Sequence, residues 1–269
     1  MEHTISFLES LAREAGEIIR SGYNPRPGYR NALQVKYKGA IDLVSEIDLR
    51  AEKLILDRIR SEFPQDSIIS EESGGEKHKD CCVWYVDPLD GTINYIHGLP
   101  LFCVSLAYVE DGETKLGVVY DPLRDECFTA VQGKGAFLNG DPIRVSSAAN
   151  LNESLLVTGF SYDIRKIEAN NIDNFAKFST RARAVRRLGS AALDLCFVAA
   201  GRLDGYWELE LFPWDIAAGA LIAKEAGALV TNLRGDAKVL NPPHSILACT
   251  PAIQKEMLDV IWGNDKTVG

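Results

Sequence analysis

The chain has 269 residues, enough for one large domain or two that share a core. With 46% hydrophobic and 25% charged residues it has an ordinary globular composition, and no apolar run reaches the length a bilayer crossing needs. The formal net charge of −9 argues against nonspecific attraction to nucleic acid or anionic membranes, so an anionic substrate would need locally concentrated positive charge, which metal ions can supply.

Glu2, Glu9 and Glu14 interrupt the N-terminal apolar residues, unlike a secretory signal. The spacing of Ile5, Leu8, Ala12, Ala15 and Ile19 predicts a helix over 4–22. A loop with Pro25, Pro27 and Gly28 follows, then a short strand over Leu33–Tyr37. Ser45-x-x-Asp48 resembles a capping box and opens a helix expected to bury Ile47, Ala51, Leu54, Ile55 and Ile59 and to stop before Pro64. A brief strand, Ser67–Ser70, ends at Glu71-Glu72, and 73–80 is a polar surface loop. Val83–Val86 reads as a buried strand ending at Asp87-Pro88, because Pro88 has no N–H with which to continue a ladder. Asp90 and Gly91 then lead into a short helix, Thr92–His97.

Strands are expected at 102–109, 116–120, 127–132 and 136–138, with hairpin turns at Asp111-Gly112 and Asn139-Gly140. From about 154 the pattern alternates: strand 155–158, helix 172–178, strand 183–187, helix 191–200, strand 205–209, helix 216–226. Strands near Val230 and Ile246 and a helix from Ala252 close the chain. Mixed order of this kind predicts layered sheets and helices, with a soft boundary near 150 between an N-terminal half, 1–150, and a C-terminal half, 151–269, of one compact unit.

Six cysteines lie mostly in apolar stretches without C-x-x-C spacing, and four histidines are scattered without H-E-x-x-H. The cysteines read as reduced core residues of a cytoplasmic protein, and the surplus of carboxylates over nitrogen and sulfur ligands favours magnesium over zinc. Four acids stand at element ends: Glu71, Asp87, Asp90 and Asp215, the last expected to precede a helix apolar on every side. Turn formation and helix capping would account for each of them singly. Gathered together they would repel one another, and two or three divalent cations would relieve that repulsion and hold a phosphate. The residues alone reach metal-assisted chemistry on an anionic ester.

Asp87-Pro88-Leu89-Asp90-Gly91-Thr92-Ile93-Asn94, the upstream Glu71-Glu72-Ser73 and the downstream Trp214-Asp215-Ile216-Ala217-Ala218-Gly219 resemble the signatures of the inositol monophosphatase family. The likeness runs from Asp42 through Gly227, with the motifs in the family's order. It implies a layered αβαβα sandwich and hydrolysis of a phosphate monoester with two or three Mg2+ ions, usually with lithium inhibition. It also implies a homodimer. By position, Glu71, Asp87 and the Leu89 carbonyl resemble the ligands of a first metal. Asp87, Asp90 and Asp215 resemble those of a second, and Glu71 serves a weaker third. Thr92 and Asp48 would orient the nucleophilic water, completing with Glu71 the catalytic set. Gly91 and Thr92 would offer N–H groups to the phosphate. Asp90, Ser190, Ala191, Ala192 and Glu208 would meet the substrate's hydroxyls, and Lys38 resembles a lysine near the metals.

The resemblance points to inositol 1-phosphate. Fructose 1,6-bisphosphate, histidinol phosphate, 3′-phosphoadenosine phosphates and NADP are the rival esters. Arg181, Arg183, Arg186 and Arg187 form a basic run in an acidic chain. It reads as a solvated face, a subunit contact or, as in a bacterial relative with a similar Arg-Arg-x-Gly-Ser-Ala-Ala segment that acts with the transcription machinery, a site for nucleic acid or a protein partner.

Overall fold

Helix α1, Ile5–Gly22, turns its Leu8, Leu11, Ala12, Ala15 and Ile19 face inward, as the 3.6-residue spacing requires, and Thr4 caps it by accepting from the Phe7 N–H. It belongs to a computed structural model that describes residues 3–24, 35–37, 43–75, 82–168 and 170–263. Lys38, the Pro25–Gly28 loop and most of the 73–80 loop lie outside the described residues. Strands β1, Val35–Tyr37, and β2, Leu43–Ser45, pair antiparallel and deliver the chain to α2, Glu46–Glu62. On α2 Ile47, Ala51, Ile55 and Ile59 are buried as expected, while Leu54 is half-buried and Leu56 is buried as well.

Seven strands form the larger sheet in chain order: β3, Ser67–Ser70; β4, Cys82–Asp90; then, after helix α3, Thr92–His97, β5, Cys103–Glu110; β6, Glu113–Asp121; β7, Glu126–Val131; β8, Ala136–Leu138; and β9, Asp141–Pro142. β3 and β4 are parallel, and every later pair is antiparallel. Asp111-Gly112 and Asn139-Gly140 make the expected tight turns, both residues of each pair at positive φ. The smaller sheet contains β10, Leu155–Thr158; β11, Ala184–Arg186; β12, Gly205–Leu209; β13, Leu229–Thr231; and β14, Ser245–Cys249, in the order β11-β10-β12-β14-β13. Its helices are α4, Ile172–Ser179; α5, Ala191–Ala199; α6, Pro213–Glu225; and α7, Gln254–Trp262.

Side-chain alternation along the strands builds the layers. Trp84 and Val86 pack with α1 and α2 on one face of the larger sheet, while Val83 and Tyr85 pack with α5 and α6 on the other. Val157, Tyr206 and Ala248 of the smaller sheet meet that same α5–α6 layer from beyond, and Leu156, Trp207 and Leu247 face Phe178 of α4 and Met257 of α7. The result is an αβαβα sandwich. α6 lies at its centre and is buried along the whole of Ile216–Ala223. Gly219 lets it approach α5, since a Cβ there would stand 2.7 Å from the Leu195 Cβ. Among the described residues no helix is long and apolar enough to cross a membrane.

Two element ends differ from the sequence reading, both beside the acidic residues. β4 does not stop at Asp87: pairing with β5 resumes at Asp90 opposite Cys103 after a bulge, because Pro88 interrupts the ladder without ending the extended chain. Asp215 lies inside α6, not before it. Pro213 occupies the first turn, where no N–H is required, and Asp215 closes the cap by accepting from the Phe212 N–H at 2.7 Å.

Candidate active site

The bulge at the end of β4 folds the chain back on itself. Asp87 Oδ1 accepts from the Leu89 N–H at 3.0 Å, closing a turn that Pro88 favours, and the Thr92 hydroxyl reaches back to the Leu89 carbonyl at 3.0 Å. Gly91 joins turn to helix at φ 95°, and a Cβ there would stand 2.8 Å from the Leu101 carbonyl oxygen, so glycine is required for both shape and space. Asn94 ties the α3 region across the molecule, its amide donating to the Leu101 and Leu188 carbonyls, each at 2.8 Å.

Asp87, Asp90, Asp215 and Glu71 influence one another through space although they come from β4, α6 and the turn after β3. Burial pushes the Asp87 carboxyl well above its usual range, and the neighbouring charges of Glu71, Asp90 and Asp215 push it further. Asp215 is likewise pushed well up, first by burial and then by Glu71, while its bond from the Phe212 N–H works the other way. Asp90 rises by burial against the pull of its hydrogen bonds. Among the described residues no three His, Cys, Asp or Glu side chains are gathered closely enough to hold a metal ion as they stand. The donor set nevertheless fits a hard divalent cation: it is all oxygen, centred on the buried Asp87 and mutually repelling, and a cation would relieve that repulsion.

Asp48 and Thr92 are hydrogen-bonded to each other. The Thr92 hydroxyl lies 2.9 Å from Asp48 Oδ1, while Asp48 Oδ2 accepts from the Ser45 N–H at 2.9 Å and from the Ser45 hydroxyl. Asp48 is therefore both a helix cap and a partner of Thr92. Burial raises its pKa, with the Ser45 and Thr92 bonds opposing.

The segment expected to meet substrate, Ser190–Ala192, also holds Asp90. Its Oδ2 accepts from the Ser190 hydroxyl at 2.7 Å and the Ala192 N–H at 2.8 Å. Ser190 also caps α5, accepting from the Leu193 N–H at 3.4 Å. Glu208 is buried on β12, 8% exposed, and accepts from the Tyr206 hydroxyl at 2.6 Å. Burial lifts its pKa to about 7. A Cβ on Gly159 would stand 2.0 Å from Glu208 Oε2, so that glycine leaves the carboxylate its room. Two residues here escaped the sequence reading. Tyr206, two along the strand from Glu208 and so on its face, carried a readable signal. Asp194 did not: it is buried on α5, its Oδ1 has no hydrogen-bond partner, and burial pushes its carboxyl well up.

Residues 1–265 match the inositol monophosphatase family. The chain belongs to that family. It is 44% identical over 262 residues to Nus factor SuhB of Pasteurella multocida, covering 97% of this chain and 96% of that one. It is 48% identical over 201 residues to an inositol-1-monophosphatase of Synechocystis, 74% of this chain and 70% of that one. Among solved structures, the inositol monophosphatase of Anabaena (Nostoc) superposes with a TM-score of 0.82 at 38% identity, covering 96% of each chain. The αβαβα sandwich is thus the family fold.

Proposed function

We propose that this chain is a magnesium-dependent phosphomonoesterase acting on myo-inositol 1-phosphate. The observation that carries the reading is the approach of Glu71, Asp90 and Asp215 to the buried Asp87, near enough for their charges to act on its carboxyl. Glu71, Asp87 and the Leu89 carbonyl would hold one ion; Asp87, Asp90 and Asp215 a second; and Glu71 a weaker third. Bound there, magnesium neutralises the phosphate, lowers the pKa of water and stabilises the departing oxygen.

The remaining work falls to the chain. The Thr92 hydroxyl has one proton and two acceptors, Asp48 Oδ1 and the Leu89 carbonyl. When water attacks phosphorus, its proton passes to Thr92 Oγ1 as the threonine proton moves onto Asp48 Oδ1. Burial suits Asp48 to that task, because a carboxylate with a raised pKa is the better base. The Gly91 and Thr92 N–H groups orient the phosphate. Ser190 and Ala192 hold Asp90 in place. Glu208 takes the hydroxyls of the departing cyclitol, and a substrate without them leaves a desolvated carboxylate unmatched.

Phosphate release from a panel of esters, with and without magnesium, tests the reading. Inositol 1-phosphate should be hydrolysed with the highest kcat/KM and only with magnesium. A preference for fructose 1,6-bisphosphate, histidinol phosphate, 3′-phosphoadenosine phosphates or NADP would keep the chemistry and replace the substrate. A second role as a binding protein has support of its own. Arg183, Arg186 and Arg187 are exposed on and beside β11, the edge strand of the smaller sheet, and several relatives carry the name Nus factor. Salt-dependent binding of RNA or of a transcription protein, lost on replacing those arginines, is its test.

A further inference from the structure

The turn that carries Glu71 has little structure of its own. It follows β3, a four-residue strand at the edge of the larger sheet, and its backbone is fastened by the Glu71 N–H to the Val86 carbonyl at 3.1 Å and by the Ser70–Gly74 bridge. A side chain from another layer completes the hold. Glu52 of α2, only 5% exposed, turns its Oε1 into this turn and accepts from the Ser70 hydroxyl at 2.5 Å, the Ser73 N–H at 3.0 Å and the Ser73 hydroxyl at 3.1 Å. All three donors flank Glu71. Nothing in the reaction proposed above uses Glu52.

Its place on α2 adds to this. Glu52 lies four residues after Asp48, one helical turn along the same face. Asp48 reaches Thr92 while Glu52 reaches the Glu71 turn, so one helix grips both the proton-handling hydroxyl and the neighbour of Asp87. A buried carboxylate is costly unless its lone pairs are matched, and on the Oε1 side that matching comes from the turn itself. The turn is therefore held at one distance from α2, and Glu71 with it.

We propose that Glu52 is a positioning residue: by locking the Ser70–Ser73 turn to α2 it presents Glu71 to Asp87 and to the divalent cation they would share. The inference rests on the metal-dependent reading above. It differs from a purely structural role, in which Glu52 would support stability and leave cation affinity alone.

Calorimetric magnesium titration, with no substrate present, tests it on the full chain beside Glu52→Ala and Glu52→Gln. Glu52→Ala should raise the magnesium concentration for half saturation about 10–100-fold, the range found when a ligand loses its supporting hydrogen bonds. The activity reached at saturating magnesium should change only a few-fold. Glu52→Gln keeps the accepting oxygen and should recover most of the affinity. Should Glu52→Ala fail to fold, Ser70→Ala with Ser73→Ala removes two of the three donors and leaves the carboxylate, and should weaken magnesium at least threefold. A lowered melting temperature with unchanged magnesium affinity would overturn the positioning role while leaving the proposed function standing. A wild-type chain that binds no magnesium would overturn both.

Discussion

The Ser190 hydroxyl donates to Asp90 Oδ2 across 2.7 Å, joining residues 100 positions apart in the chain. Asp90 ends a strand of the larger sheet and Ser190 caps α5, so this bond fixes a proposed metal ligand to the central helix layer. Ser190→Ala should cost about 1 kcal/mol of stability through the lost cap. It should also weaken magnesium affinity or activity about 10–100-fold through the loosened Asp90 carboxylate. Thermal unfolding and magnesium-dependent turnover measured on one preparation separate the two effects. Turnover within twofold of wild type at low magnesium would show that the Ala192 N–H suffices.

Glu208 should discriminate among substrates. Glu208→Gln should lower kcat/KM for inositol 1-phosphate by about 1–3 kcal/mol, typical of a hydrogen bond to a charged group. A simple aryl phosphate, which has no hydroxyls to meet it, should be hydrolysed almost as before. Equal losses on both substrates would mean that Glu208 supports the metal-binding residues or the fold.

The same residue predicts a pH dependence. Its folded pKa of about 7 lies above the ordinary glutamate value, so the folded chain binds the proton more tightly than the unfolded one. The stability this contributes is fully present below the unfolded pKa and is lost as pH rises through about 7. Without magnesium, wild type should therefore lose about 2 kcal/mol relative to Glu208→Gln between pH 5.5 and 8. Denaturant unfolding in chelator at the two pH values checks this, and a difference that stays constant or grows in wild type's favour would contradict it.

What the sequence disclosed and what it hid follow from the range of the forces involved. The bounds of β12, the cap on α2 and both hairpin turns were legible, because the aromatic pair Tyr206-Trp207, Ser45-x-x-Asp48 and residue pairs suited to positive φ act locally. The continuation of β4 past Pro88 was not, since it depends on Cys103 lying opposite Asp90. Neither could spacing show that Ser190 and Ala192 turn toward Asp90, or that Glu52 reaches the Glu71 turn. Those contacts exist only once the layers are stacked. The acidic positions themselves stood out as carboxylates at element ends; the resemblance assigned them roles, and packing decided what holds each one.

The central claim is that Glu71, Asp87, Asp90 and Asp215 together hold the cations for phosphate ester hydrolysis, and Asp90→Asn tests it most directly. The amide has nearly the same shape as the carboxylate and can still accept from Ser190 and Ala192, so the fold should survive, as circular dichroism and an unchanged melting temperature in chelator would show. Phosphate release from inositol 1-phosphate at saturating magnesium should fall at least about 100-fold, the scale of losing one electrostatic contact in a buried reaction site. Near-normal turnover by a folded Asp90→Asn protein would contradict the account.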